Sequence, residues 1–291
     1  MAAPLTKLSP CKVNLVLNIL GKRPDGFHEL ETVMQPVRLC DELEFERAGE
    51  GVALTCNDPE LPTDSRNLVH RAATGFLAAA GLKAGVRIHL EKRIPQAAGL
   101  GGGSGNAATT LLALNELFDQ PLQPAQLHPI AATLGSDIPF FLQDKPALAT
   151  GRGEQVVSLE PFPALRGTSI LLIHPGFGIA TAWAYKELGR FPAAFQGRRG
   201  RAQELVGLLQ DGSLSRAGAA LYNSLEAPAL EKYPLLALYQ EFLRGQGALA
   251  TLMSGSGSTT FAIARDEADG RRMETLVREK FGNCWTAVVP L

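Results

Sequence analysis

The sequence is poor in cysteine, has almost no excess charge and contains no long hydrophobic run. Four cysteines occur in 291 residues and none forms a Cys-x-x-C pair, so neither a disulfide framework nor a cysteine metal cage is expected. The five histidines show no ligand spacing. A net charge of -1 argues against a nucleic-acid-binding surface. Because neither an apolar run nor a basic leader precedes the first predicted strand, we expect a cytoplasmic protein that does not enter a membrane.

The pattern of apolar residues predicts a strand-rich first half and a helix-rich second half. Alternating apolar residues at 13–19 predict the opening strand, and the apolar run 170–173 predicts a buried strand. Glycines and prolines between 151 and 163 mark a domain junction. We therefore predict two α+β domains, residues 1–158 and 159–291, with the functional site in the cleft between them. Further strands are predicted at about 29–37, 41–47, 51–56, 86–91, 248–252, 259–264 and 284–289, and helices at about 67–80, 107–114, 124–134, 181–245 and 266–280.

A glycine-rich segment before the helix at 107–114 is the most informative feature of the chain. Five of the seven residues from Gly99 to Gly105 are glycine. Glycine lets backbone N–H groups face a ligand without a Cβ in the way, and the first turn of a helix adds unpaired donors and a partial positive charge. The segment therefore predicts a phosphate site, with the amides of Gly101, Gly102 and Gly103 against the ligand. Its residues are Pro95, Gln96, Ala97, Ala98, Gly99, Leu100, Gly101, Gly102, Gly103, Ser104 and Gly105.

Two better-known phosphate loops fit this segment less well. A Walker A loop needs a lysine after its glycines, and no lysine occurs between Lys92 and Lys145. The run 103–108 fits the dinucleotide pattern Gly-x-Gly-x-x-Ala, but the preceding strand, 86–91, alternates apolar and polar residues, unlike a strand buried on both faces. About 20 residues further on, where that pattern expects a ribose-binding acid, the chain reads Gln-Pro-Leu-Gln-Pro. The dinucleotide interpretation is therefore disfavoured.

Outside the loop, single polar residues allow more than one interpretation. Lys12 shares the polar face of the opening strand with Asn14, which is typical of a solvated strand face. Asp137 follows a Gly-Ser pair, as a helix N-cap often does. Phe27 and His28 follow a Pro-Asp-Gly turn and fit a core aromatic residue beside a surface histidine. The residues alone leave a catalytic or binding role open for each of them.

Several segments taken in order resemble the motifs of the GHMP kinase superfamily, whose members phosphorylate small-molecule alcohols. The resemblance runs from about residue 8 to residue 261, and motif order carries it more than any one motif. It implies a two-domain α+β fold of the GHMP kinase type, with ATP and Mg²⁺ as cofactors. The matching segments are Pro10–Leu15, Gly21–Leu30, Pro95–Ala108, Gly135–Phe141 and Met253–Thr259, the last as a second glycine loop that supports the first.

The resemblance implies a role for each of these polar residues. Asp137 would be the general base that takes the proton from the substrate hydroxyl, and Lys12 would favour the ionised hydroxyl and neutralise phosphoryl charge. The substrate implied is cytidine diphosphate methylerythritol, phosphorylated on its 2-hydroxyl for isoprenoid precursor biosynthesis by the non-mevalonate route. Phe27 would stack on the cytosine and His28 would bind its edge. Tyr185 would lie on the opposite face of the base. Asn14 would be a further substrate-binding residue.

Departures from the superfamily pattern leave two alternatives open. Phe27 stands where tyrosine is common, and Gly105 removes a hydroxyl, which leaves Ser104 as the hydroxyl residue of the loop. One alternative is a kinase for another small-molecule alcohol. The other is a noncatalytic nucleotide-binding module, which the presence of both Lys12 and Asp137 opposes. The pattern does not identify the Mg²⁺ ligands, and we expect a monomer or a weak homodimer.

Overall fold

A computed structural model describes residues 4–282 and 284–291 as a mixture of helices and strands. This mixture confirms the predicted α+β class. The strands are β1 (Leu5–Lys22), β2 (His28–Ala48), β3 (Gly51–Cys56), β4 (Gly85–Glu91), β5 (Ala147–Gly151), β6 (Gln155–Ser158), β7 (Ser169–His174), β8 (Tyr222–Asn223), β9 (Ala250–Met253), β10 (Thr260–Ala264) and β11 (Trp285–Pro290). The α-helices are α1 (Leu68–Ala79), α2 (Gly102–Leu117), α3 (Pro124–Leu134), α4 (Thr181–Leu188), α5 (Pro192–Phe195), α6 (Arg201–Gln210), α7 (Leu214–Ala220), α8 (Glu226–Lys232), α9 (Pro234–Gly245) and α10 (Glu267–Phe281).

Most predicted elements are present, and the differences lie where the local pattern is short. The strands predicted at 29–37 and 41–47 are one continuous strand, β2. The interval 181–245 holds six helices, α4 to α9, and also the two-residue strand β8, which the helical prediction missed. A strand of two residues carries no period that a sequence pattern could reveal.

The glycine-containing segment after β5 forms a hairpin turn. Thr150 of β5 pairs with Gln155 at the start of β6. Gly151, the last residue of β5, and Gly153 in the turn have positive φ angles of 72° and 109°. Glycine is favoured there because L side chains rarely adopt this conformation. The sequence analysis placed a domain junction in this region, and the boundary after residue 158 stays a prediction.

The chain forms two compact units, each assembled from three separate segments. Strands β1 and β2 contribute residues to both units. Unit 1 comprises the described residues up to Cys11 together with Cys40–Pro95 and Gly101–Asp144, and unit 2 comprises Lys12–Leu39, Gln96–Leu100 and the described part of Lys145–Leu291.

In unit 1, three helices accompany a short run of paired strands. β4 pairs antiparallel with the second part of β2, from Glu42 opposite Glu91, and parallel with β3. α1 packs against α2, α3 and β3. The helix α1 begins after Asn67, whose side-chain oxygen accepts a hydrogen bond from Val69 N at 2.9 Å. Its buried residues recur at helical spacing and form one apolar stripe: Val69, Ala72, Ala73, Phe76 and Leu77.

In unit 2, four antiparallel strands form a sheet in the order β11-β7-β10-β9. Every residue of β7 is buried, which confirms the predicted buried strand at 170–173. Helix α10 packs against β7, β10 and β11, and α9 packs against β9 and β10. The first part of β2 pairs with β5, and β1 pairs parallel with β8 through Leu17 opposite Asn223. The pairing with β8 fixes the strand that carries Lys12 beside a short polar segment.

Across residues 4–282 and 284–291, no helix has both the length and the apolar character that a bilayer crossing requires.

Candidate active site

The predicted phosphate loop is divided between the two units. Pro95 and Gly101–Gly105 belong to unit 1, and Gln96–Leu100 belong to unit 2. In the second part, Gln96 and Ala97 are exposed, whereas Ala98 and Leu100 are buried. The two parts therefore have different surroundings.

In unit 1, the start of α2 has the properties of an anion site. Gly101, just before the helix, has a left-handed backbone with φ of 69°. Gly105 N donates to Gly101 O at 2.8 Å, so the amides of residues 102–104 precede the first intrahelical bond. The first turn contains no acidic side chain. No carboxylate of that turn therefore neutralises the partial positive charge of the helix end.

The glycines of this turn differ in what a side chain would meet. A Cβ at Gly102 would lie 3.1 Å from both Ile94 Cγ2 and Lys92 Nζ, and one at Gly105 would lie 2.6 Å from a backbone oxygen. Gly103 is exposed, and the nearest atom to a Cβ there would be 3.8 Å away. Packing therefore requires glycine at position 105 and leaves little room for a side chain at position 102, while Gly103 is open to a ligand. From the sequence, the amides of Gly101, Gly102 and Gly103 were all predicted to contact phosphate, with no distinction among them.

A buried carboxylate anchors this helix start. Asp41 is fully buried and accepts backbone hydrogen bonds from Arg93 N at 2.7 Å and Ile94 N at 2.8 Å. Its other oxygen accepts from Asn106 Nδ2 at 2.9 Å and from the Lys92 ammonium. Asn106 directly follows the first turn of α2, so its amide holds the start of the helix against Asp41. Asp41 was not predicted as a site residue, because a single aspartate within a strand carries no motif.

Asp137 lies in unit 1 between α3 and the 3-10 helix Pro139–Leu142, and it is half-buried. The 3-10 helix has Ile138 at its N-cap position and no side-chain cap. Asp137 therefore does not occupy the capping position that the residues alone suggested. Its catalytic role stays a prediction.

Lys12 lies in the β1 part of unit 2 and is buried, with 3% of its surface exposed. The interpretation as a solvated strand-face lysine is therefore wrong. Its ammonium donates to Asn14 Oδ1 at 2.7 Å and to Gly99 O at 3.0 Å, and its backbone N donates to Leu100 O at 2.9 Å. Lys12 thus contacts the unit 2 part of the predicted phosphate loop through both side chain and backbone.

Asn14 is oriented by a chain of hydrogen bonds that ends at Lys12. Thr32 Oγ1 donates to Val16 O at 2.6 Å and accepts from Asn14 Nδ2 at 2.9 Å. The amide oxygen of Asn14 is thereby turned toward the Lys12 ammonium. Within the protein, Asn14 presents Lys12 with an oxygen acceptor, and its contact with substrate stays a prediction.

The second glycine loop, residues 253–259, contacts the first within unit 2. Ser254 Oγ donates to Gly99 O at 3.0 Å, and Thr259 N donates to Ala98 O at 3.1 Å. Gly99 has φ of 77°, and a Cβ there would lie 2.1 Å from Ser254 O. These contacts agree with the predicted supporting role, because the second loop fixes the carbonyl that accepts from Lys12.

The residues predicted to bind the base all lie in unit 2. Phe27 is 50% exposed, and the Arg152 guanidinium stands 4.6 Å from its ring centroid. The His28 ring is 4.9 Å from the Tyr185 ring at an interplanar angle of 37°, and Phe195 meets it edge-on at 5.7 Å. Tyr185 therefore contacts His28, and Arg152 covers part of Phe27. The position of Tyr185 on the opposite face of a base from Phe27 stays a prediction.

The surroundings of His28 favour the neutral form of its imidazole. Burial lowers the pKa of its imidazole below the usual value of about 6.5, and the positive charge of Lys22 lowers that pKa further. A neutral imidazole has one N–H donor and one acceptor nitrogen. It can therefore both donate to and accept from a polar ligand edge.

Two polar residues of unit 2, the buried Asn223 and the half-buried Glu226, were not predicted from the sequence. Glu226 accepts a hydrogen bond from Met253 N at 2.8 Å and another from the Gln240 amide, and burial raises the pKa of its carboxyl. Both residues fall in the interval predicted as helix. The available signal was the pair Asn223-Ser224, because asparagine and serine compete for backbone hydrogen bonds and often break helices.

Comparison with protein families identifies the class of this protein. Residues 67–145 match the GHMP kinase N-terminal domain, and residues 205–283 match the GHMP kinase C-terminal domain. The chain belongs to the GHMP kinases, which are ATP-dependent kinases. Asp137 lies within the first matched segment, whereas Lys12, Phe27 and His28 lie before it.

Its relatives include kinases of one particular alcohol. The 4-diphosphocytidyl-2-C-methyl-D-erythritol kinase of Pelotomaculum thermopropionicum is 42% identical over 275 residues, with 94% of each chain covered. The enzyme of the same name from Syntrophus aciditrophicus is 42% identical over 272 residues, with 93% of each chain covered. A crystal structure of 4-(cytidine 5'-diphospho)-2C-methyl-D-erythritol kinase has a TM-score of 0.81 and 36% identity, covering 99% of this chain and 100% of that one. A homoserine kinase structure from Cytophaga hutchinsonii, at 22% identity and a TM-score of 0.78, shares the fold over 99% of this chain and 94% of its own.

We expect His28 to titrate below 6.5 in the free protein, and Lys22→Gln to raise that midpoint while leaving it below 6.5. Burial is the larger of the two causes and persists in the variant. NMR of the imidazole protons against pH measures the midpoint. His174, whose pKa is lowered by burial alone, is the internal control and should not respond to Lys22→Gln. A His28 midpoint at or above 6.5 would contradict the neutral imidazole.

Proposed function

We propose that this protein transfers the γ-phosphoryl group of ATP to the 2-hydroxyl of 4-diphosphocytidyl-2-C-methyl-D-erythritol, giving the 2-phosphate and ADP. The reaction is a step of isoprenoid precursor biosynthesis. One observation carries the proposal: a buried Lys12 ammonium is bonded to Gly99 of the glycine loop in a chain 42% identical to kinases of this substrate. A noncatalytic nucleotide-binding module would not need a lysine at that position.

The proposed reaction begins at the Asp137 carboxylate. It removes the proton from the 2-hydroxyl as that oxygen attacks the γ-phosphorus of ATP. The new oxygen–phosphorus bond forms while the bond from the γ-phosphorus to the bridging oxygen breaks, and ADP leaves. General-base catalysis of this kind contributes about 10²–10⁴-fold in rate. The Lys12 ammonium stabilises the negative charge on the attacking oxygen and on the transferred group.

The nucleotide phosphates are assigned to the start of α2. The amides of Gly103 and Ser104 precede the first intrahelical bond, and the exposed Gly103 leaves room for a phosphate oxygen. Phosphate at a helix N-terminus gains both the backbone N–H donors and the positive end of the helix dipole. The other loop residues, 95–100, stay predicted contacts of the nucleotide.

We assign Mg²⁺ to the phosphates rather than to a protein cage. Within the part of the chain that the structure describes, no three histidine, cysteine, aspartate or glutamate side chains are grouped to hold a metal ion. Mg²⁺ is commonly bound through substrate phosphates with one or two protein ligands. Ser104, half-buried in the first turn of α2, supplies a hydroxyl beside the phosphate amides. When bound, Mg²⁺ neutralises charge on the phosphates.

The cytidine end of the substrate is assigned to Phe27, His28 and Tyr185, with Asn14 as a further contact. A half-exposed phenylalanine ring offers a face on which a base can stack. The neutral His28 ring offers one donor and one acceptor to the polar edge of cytosine. We further propose that the enzyme works in the cytoplasm as a monomer or weak homodimer, with small molecules as its partners and no contact with nucleic acid or membrane.

We expect the enzyme to use methylerythritol 4-phosphate, which has the same hydroxyl but no base, with kcat/KM lower by roughly 30- to 1,000-fold. Lost stacking and edge hydrogen bonds forfeit about 2–4 kcal/mol. Steady-state kinetics on both alcohols measure the gap. His28→Ala should reduce the difference in kcat/KM between the two alcohols. His128→Ala, at an exposed position, should leave that difference unchanged. Equal efficiency on both alcohols would leave a kinase of another alcohol as the function.

We expect Asp137→Asn to lower kcat by about 10²–10⁴-fold and to leave ATP affinity nearly unchanged, since the amide cannot accept the proton. Single-turnover kinetics measure the chemical step, and calorimetry measures ATP binding. Asp144→Asn, at an exposed position in the same unit, is the matched control. A variant that keeps at least about a tenth of wild-type kcat would refute the general-base assignment.

We expect Gly103→Val to weaken ATP binding by at least about tenfold without unfolding the protein. The added side chain projects into open space beside the amides assigned to phosphate. Calorimetry measures the affinity, and circular dichroism checks the fold. Gly207→Val, at an open glycine position within α6, controls for the loss of helix propensity. Unchanged ATP affinity in folded Gly103→Val would exclude this turn as the phosphate site.

A further inference from the structure

We infer that Asn223 is a positioning residue for Lys12 and that it acts through the second glycine loop, residues 253–259. The inference rests on the proposed catalytic role of Lys12 and adds a residue that supports it. Asn223 lies in the two-residue strand β8 of unit 2 and is 2% exposed. Because a buried amide makes few contacts with water, its effect comes through its hydrogen bonds.

The Asn223 amide holds two carbonyl groups of the second glycine loop. Its Nδ2 donates to Met253 O and to Gly255 O, each at 2.7 Å. Its Oδ1 accepts from Leu225 N at 2.9 Å, which fixes the orientation of the amide. One side chain therefore bridges two carbonyls that lie two residues apart in the loop. This bridge sets the path of the backbone at Ser254.

The same short segment touches the acceptor of the Lys12 ammonium. Ser254 Oγ and Lys12 Nζ both donate to Gly99 O, each at 3.0 Å. Gly255 has φ of 57°, and a Cβ there would lie 2.9 Å from Gly99 O and 3.3 Å from Lys12 Nζ. The loop backbone therefore lies against the ammonium itself. A displacement of this segment changes the position of both Gly99 O and Lys12 Nζ.

Asn223 is also fixed to the strand that carries Lys12. It pairs with Leu17 of β1, and Ser224 N donates to Leu17 O at 2.8 Å. Ile19 N donates to Ser224 Oγ at 3.0 Å, which adds a third connection to the same strand. Asn223 thus joins β1 to the second glycine loop. Lys12 therefore lies between the rest of β1 and the second glycine loop.

An isosteric substitution separates this role from simple packing. Aspartate has the size of asparagine but places an oxygen where Nδ2 donates, so Asn223→Asp removes both donated bonds and sets a carboxylate against Met253 O and Gly255 O. The loop then moves away from the residue while the volume of the core is kept. The change therefore acts on the loop path.

We expect Asn223→Asp to lower kcat by about 10- to 100-fold while KM for ATP and for the cytidine substrate stays within about threefold. A displacement of about 1 Å from productive geometry can cost 10²-fold in rate without loss of binding. The decisive comparison is made in a Lys12→Met background. There Asn223→Asp should lower the remaining kcat by less than about twofold, because the group that it positions is gone.

These four proteins, the wild type, the two single variants and the double variant, form a double-mutant cycle, and each of its outcomes has one interpretation. Equal fold-losses from Asn223→Asp in the wild-type and Lys12→Met backgrounds would overturn the inference and leave Asn223 as a general structural residue. A rise in both KM values with kcat unchanged would overturn it as well. If Lys12→Met itself leaves kcat unchanged, the proposed role of Lys12 fails, and the inference fails with it.

A matched asparagine elsewhere in the chain supplies the control. Asn115 in α2 also holds a turn, because its Nδ2 donates to Leu122 O at 2.9 Å and its Oδ1 accepts from Leu122 N at 3.0 Å. Asn115→Asp should leave kcat unchanged once the folded fraction, measured by near-ultraviolet circular dichroism, is taken into account. If Asn223→Asp does not fold, Asn223→Ser enters the same cycle, since its shorter hydroxyl group cannot bridge both carbonyls.

Discussion

The buried ammonium of Lys12 sets the main constraint on unit 2. Taking an ammonium group out of water costs several kcal/mol unless oxygen acceptors stand at hydrogen-bond distance. Asn14 Oδ1 and Gly99 O meet this need, and each is held by further bonds: Asn14 by Thr32, and Gly99 by Ser254. The strand pairing, the loop of positive-φ glycines and the polar strand β8 all serve to keep these oxygens in place. A charge that is expensive to bury thereby organises the polar residues around it.

Unit 1 also contains a buried charged group, and its charge is negative. Its buried carboxylate, Asp41, is compensated by a neighbouring ammonium, a side-chain amide and two backbone N–H groups. Because Asn106 is one of these donors, the compensation fixes the first turn of α2, whose amides we assign to phosphate. Replacing such a buried pair by apolar residues often preserves stability. In this protein the contribution of the buried charged pair is to orient the start of α2.

The sequence predicted the features that have a period or a motif, and it failed where the cause is contact over long range. Helix α1 and the buried strand β7 follow from the spacing of their apolar residues, and the glycine turn before α2 follows from composition. The polar row on β1 predicted a solvated face, yet Lys12 and Asn14 are buried because a glycine loop 87 residues away and Thr32 supply their partners. Asn223 was missed for the same reason, since its partners lie about 30 residues further along the chain. Partners that distant leave no local pattern.

The segmental construction of the two units affects how the chain can fold during synthesis. Every segment of unit 1 has been made once Asp144 has been added, whereas the sheet of unit 2 ends with β11, at Pro290. At typical translation rates the remaining residues take roughly 7–30 s. Until the end of that interval Leu17 and Ile19, which are buried in the unit 2 core, lack the last residues of that core, Met273, Val277 and Val288. A nascent chain of this protein therefore has an incompletely covered apolar core until its C-terminal elements have been made.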